Sequence, residues 1–105
     1  MQDKKYIYFF DLIKGVFGMG TTEIEEKGDL IKVHYNDGKQ KNTSIVSAMN
    51  DVFLNTGINI TPVGKGSQLY ADGFKFIVNF SNGEVREKSF RDALCTVALI
   101  SMAKV

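Results

Sequence analysis

The chain has 105 residues, 44% apolar and 24% charged, and its 13 basic and 12 acidic side chains leave a formal net charge of +1. That length suits one domain with its own core, and no Pro/Ser-rich stretch divides it into two. The charge balance excludes a whole-molecule pull toward nucleic acid or an acidic membrane, no run approaches the ~18 apolar residues of a membrane span, and a single cysteine, Cys95, excludes an internal disulfide.

Residues 3–17 come first. Tyr6, Phe9, Phe10, Ile13, Val16 and Phe17 recur at helical spacing, Asp3 stands where a cap belongs, and glycines 15, 18 and 20 supply a stop. The segment is read as a helix, although Tyr6–Phe10 alone would also fit a strand. Asp11 and Lys14 interrupt the apolar run before it takes signal-peptide form, so the expected location is cytoplasmic, with no membrane partner. The glycosylation patterns at Asn42 and Asn59 then carry no meaning.

The rest of the chain reads as one unit written twice. Gly28 and Gly73, Val33 and Val78, Gly38 and Gly83, Ser44 and Ser89, Ala48 and Ala93, and Val52 and Val97 are each 45 positions apart, and similar pairs such as Ile31/Phe76, Lys41/Arg86 and Ile45/Phe90 keep that offset. Turn glycines, strand apolars and helix apolars thus coincide without a gap. Asp37-Gly38, Asn82-Gly83 and Asp72-Gly73 are strong hairpin signals, with Lys27-Gly28 in the corresponding place of the first copy. They predict strands at about 22–26, 29–36 and 39–42, and again at about 67–71, 74–81 and 84–88. Alternation puts Ile31, Val33 and Tyr35, like Phe74, Phe76, Val78 and Phe80, toward a core.

A helix follows each meander. Ser44 and Ser89 are the expected caps, the latter with Asp92 in a capping-box spacing, and Ile45, Ala48, Met49, Val52 and Phe53 form one apolar stripe. The second stripe is wider: Leu99, Ile100, Met102 and Ala103 extend it, so this helix is expected either at the centre of the core or under another subunit. Segment 56–66 connects the copies, and Ile58–Ile60 suits a short edge strand because Pro62 disfavours a central one. The fold class is therefore α+β: an N-terminal helix over 3–17 and two repeated antiparallel units over about 21–55 and 66–103, in one mostly antiparallel sheet with helices on one face and internal pseudo-twofold character.

Chemistry-bearing motifs are few. Gly15–Gly20 lacks dinucleotide-fingerprint spacing and reads as a helix stop; Gly64-Lys65-Gly66-Ser67 lacks the upstream glycine of a phosphate loop and is expected to run into a strand. One histidine and one cysteine make no familiar zinc site, and His34 and Cys95 fall on opposite sides of the sheet. No catalytic residue, metal ligand or cofactor site is assigned.

Two-residue hairpin loops would pair His34 with Lys41, Asn36 with Lys39, Asn79 with Arg86 and Ser81 with Glu84. Candidate binding residues are then Lys32, His34, Lys39, Lys41, Tyr70, Lys75, Arg86 and Lys88 on one outer face, opposed by Glu23, Glu25 and Glu84. The functional expectation is a small non-catalytic binding or regulatory protein acting through a protein partner or a homodimer interface. The alternative is single-stranded nucleic acid, with cations along the phosphates and Tyr70 stacking on a base.

Overall fold

A computed structural model describes residues 4–103. The first apolar stripe forms helix α1, Lys4–Phe17, with Phe9 and Ile13 fully buried, which decides residues 6–10 in favour of helix. Asp3, the expected cap, lies outside the described residues. The helix ends where the Gly18 amide donates to the Lys14 carbonyl at 3.0 Å, with Gly18 at φ +122°.

Strands β1, Thr21–Lys27, and β2, Leu30–Tyr35, are joined by a tight turn, and β3, Gln40–Ser44, pairs with β2. Helix α2, Ile45–Thr56, starts at the expected cap: Ser44 Oγ accepts from the Ser47 amide at 3.1 Å. It stops at Gly57, in the left-handed region at φ +75°. Then come β4, Asn59–Pro62, a helical turn α3, Gln68–Ala71, strands β5, Phe76–Phe80, and β6, Gly83–Glu87, and helix α4, Phe90–Ala103. In α4 the Asp92 amide donates to Ser89 Oγ at 3.0 Å, as the cap spacing required.

The α+β class, the N-terminal helix and the helices packed on antiparallel strands are those read from the sequence. Two details differ. The strands form two three-stranded sheets, β1-β2-β3 and β4-β5-β6, instead of one. Residues 67–71, expected as a strand, instead hold α3; Ser67 Oγ accepts from the Leu69 amide at 3.1 Å and starts a helical turn. Gly64-Lys65-Gly66-Ser67 therefore runs into that turn and not into a strand. The edge strand expected near Ile58–Ile60 takes the vacant place, with Ile60 opposite Val78 in β5. The correspondence between units thus holds for β2-β3-α2 and β5-β6-α4 and fails at the strand before each hairpin.

Both units contribute to one core. Ile31 and Val33 from β2, Val78 from β5, Val52 from α2, and Phe90, Leu94 and Val97 from α4 are fully buried with Phe9 and Ile13. Each such side chain contributes roughly 1.5–3 kcal/mol through removal from water. Phe76 meets Phe90 edge-on with centroids 5.6 Å apart. Of the two places expected for the last helix, α4 takes the core: Phe90, Ala93, Leu94, Cys95, Val97 and Ala98 are all buried, Ile100 packs against them, and Leu99 and Met102 are partly exposed.

Candidate functional site

The outer face of the first sheet is a neutralised charge cluster. Glu25 stands opposite Lys32, and Glu23 opposite His34. His34 Nε2 lies 3.3 Å from Glu25 Oε1, and Lys27 Nζ lies 3.8 Å from its other oxygen. The hydrogen bond from His34, followed by the charge of Lys27, holds the Glu25 carboxyl below its ordinary range. Lys27 also crowds Lys32, and interaction with that neighbour pushes the Lys32 ammonium below the usual lysine value. Contacts this exposed add little stability, but they occupy charges that a polyanion would need.

The remaining candidate residues do not join this face. The expected pairs His34–Lys41 and Asn36–Lys39 are replaced by His34–Gln40, with Val33 opposite Lys41. The cause is the turn: Asp37 Oδ1 accepts from the Lys39 amide at 2.9 Å, and Gly38 alone takes positive φ, +85°. No non-glycine residue among those described has positive φ, so Asp37-Gly38 does not make the two-residue turn that needs it at both positions. The loop grows to Asn36-Asp37-Gly38. A one-residue slip moves Lys41 to the Val33 side, where it lines a small cleft with Val16, Tyr35 and Asp51. Lys39 stands at the turn, its carbonyl accepting from the Tyr35 amide at 3.0 Å.

The second hairpin departs from expectation in its own way. Phe80 pairs with Gly83, Asn79 with Glu84 and Ile77 with Arg86, in place of Ser81–Glu84 and Asn79–Arg86. The shift of two positions keeps Arg86 on the expected outer face of the second sheet, opposite Ile77 instead of Asn79. The Lys75 amide donates to the Glu87 carbonyl at 2.9 Å, Lys88 Nζ sits 5.8 Å from the centre of the Phe74 ring, and Tyr70 lies on α3. The eight residues are thus spread over two sheets, a turn, a helix and the segments that flank β5 and β6.

An ion-pair junction that local sequence patterns did not reveal ties the units together. Arg91 Nη2 and Nε donate to the two Glu23 oxygens at 3.1 and 3.3 Å, its guanidinium lies 4.4 Å above the centre of the Phe9 ring, and its amide donates to Glu26 Oε1 at 2.9 Å. Hydrogen bonding to Glu23 raises the Arg91 pKa and outweighs the opposing effect of burial. This clamp fastens β1 and α1 to the start of α4. The partners are 65 and 68 residues apart, beyond any helical or hairpin spacing.

A groove of about 560 Å³ lies between the units. From the first come Asp29, Ser44, Ile45, Val46 and Met49; from the second come Pro62, Val63, Lys65, Tyr70, Lys75 and Phe76. Val46, in the first turn of α2, is 73% exposed. Val46 and Phe53 are exposed on one face of that helix while Met49 packs against the core, so α2 carries apolar side chains outward as well as inward. Tyr70 and Lys75, two of the candidate residues, meet here. Their joint position depends on α3, which the sequence reading placed as a strand.

Comparison with known proteins gives no relative. No protein-family model, curated protein or solved structure matches this chain. Among the described residues, no group of three or more His, Cys, Asp and Glu side chains is placed to hold a metal ion, and no helix is long and apolar enough to cross a membrane. Cys95 is buried in α4 while His34 lies on the outer face of the first sheet, so the two do not form a thiol–imidazole pair.

Proposed function

We propose that this protein is a non-catalytic binding or regulatory module that holds a protein partner in the groove between its two units. The observation that carries this reading is an apolar groove with Val46 about three-quarters exposed on its helical wall. Fully burying one such side chain is worth roughly 1.5–3 kcal/mol, and apolar surface rimmed by charges is the usual anatomy of a protein interface. Nucleic acid is the weaker reading, because a phosphate track needs neighbouring free cations. Here Glu25 engages His34 and Lys27, Lys41 faces the other side, and Arg86 and Lys88 belong to the second sheet region.

Affinity capture from the native cell, with and without nuclease, separates the two. The expected result is a protein retained after nuclease treatment by the wild type and by Lys32→Glu but lost with Val46→Asp. Capture abolished by nuclease and by Lys32→Glu, with Val46→Asp unaffected, would overturn the proposal in favour of nucleic acid.

A further inference from the structure

We infer that the occupant of the groove is a second copy of this chain, related to the first by a twofold axis through the groove; this rests on the groove reading above and names its partner. An isologous interface places one patch against itself, so its charges match only if both signs are present at separate places. The groove meets that condition. The first unit supplies Asp29, and the second supplies Lys65 and Lys75, all exposed. Among the described residues none of these three side chains forms an ion pair. Glu26, the other acid at the groove, already accepts the Arg91 amide and belongs to the clamp.

The proposed axis is the one that would set Asp29 of each copy toward the lysines of the other. A uniformly acidic or basic partner would satisfy only one side of the groove. A net charge of +1 leaves no long-range repulsion between copies. Pairing through the edge of the first sheet is a poorer route, since β3 presents Gln40, Lys41 and Asn42, polar and charged residues that discourage strand addition.

The test is sedimentation velocity on the purified chain, with circular dichroism to verify folding of each variant. The wild type is expected to run at twice the 11.7 kDa chain mass. Val46→Asp, Lys75→Glu and Asp29→Lys are each expected to weaken self-association by about tenfold or more, the scale of a lost or reversed close charge pair. Mixing Lys75→Glu chains with Asp29→Lys chains should restore the dimer, because each reversed charge then faces a complementary one across the axis. An effect confined within one chain gives no such rescue. A wild type that is monomeric at every concentration, or single variants that do not complement on mixing, overturns the assignment. If the monomer still loses its nuclease-resistant partner with Val46→Asp, only the second-copy assignment fails; a dimer that Val46→Asp leaves intact removes the groove from self-association.

Discussion

The two units carry nearly the same hairpin and helix, yet they place them differently. In the first, β1 runs into β2 through a tight turn and α2 lies at the periphery, with Val46 and Leu54 about three-quarters exposed. In the second, β4 reaches β5 through a connection that contains α3, and α4 is buried through the centre of the core. The hairpin loops differ by one residue: Asn36–Gly38 in the first and Ser81-Asn82 in the second. A strand's side chains alternate, so that single residue reverses which face a copied position occupies. Lys41 and Arg86 occupy equivalent sequence positions, but Lys41 lies opposite inward Val33 and Arg86 opposite outward Ile77. A duplicated module can therefore keep its fold while dividing its surface chemistry.

The largest contrast to test is between the two helices. Leu94→Ala, in α4, is expected to cost about 3 kcal/mol through lost burial and the cavity left behind, whereas Leu54→Ala, exposed on α2, should stay within about 0.5 kcal/mol. Urea unfolding of both variants checks this, and equal losses would break the assignment of centre and periphery.

Next come the two turn glycines. Gly38 has φ +85° and Gly83 φ +146°, and a Cβ built at either meets nothing within 4 Å, so only backbone conformation opposes a side chain. Asn tolerates the left-handed region near Gly38 but not the more extended positive φ of Gly83. Gly38→Asn should cost less than about 1 kcal/mol and Gly83→Asn about 2 kcal/mol, read as shifts in urea midpoint. Equal costs would mean that the loops share one geometry.

The capping serines should behave alike. Ser44→Ala and Ser89→Ala each remove an oxygen that accepts an amide of the first helical turn, and each should cost about 1 kcal/mol. Thermal melts of the pair measure how closely the helix starts correspond.

The smallest effect concerns Glu25. Its pKa is depressed by His34 and Lys27 in the folded chain, so its contribution is present above the unfolded-state pKa and is lost as pH falls through the lower folded value. Glu25→Gln should leave the second unit untouched and make stability slightly less dependent on pH across the acidic carboxylate range. A pH series of melting temperatures for both proteins tests the sign.

Strong local signals made much of this legible from residues alone. The stripe from Phe9 to Phe17 specified α1, Ser44 and Ser89 marked both helix starts, and Ile31, Val33 and Val78 identified the inward faces. Gln68–Ala71 was misleading because four residues are too few to show a period, and its turn is set by the Ser67 hydroxyl. Hairpin register escaped because Asp-Gly and Asn-Gly fit more than one loop length, and only backbone geometry shows that glycine alone takes the positive φ. The Arg91 clamp and the groove arise where the units meet, so no spacing within either unit encodes them.

The division of cations between faces depends on the two hairpins having unequal registers, and nuclear Overhauser contacts across the strands measure this directly. The expected pattern places Val33 opposite Lys41 and Val78 opposite Val85. Val78 opposite Arg86, the register that a faithful copy of the first hairpin would have, would contradict it and turn Arg86 to the face that Lys41 occupies in the first unit.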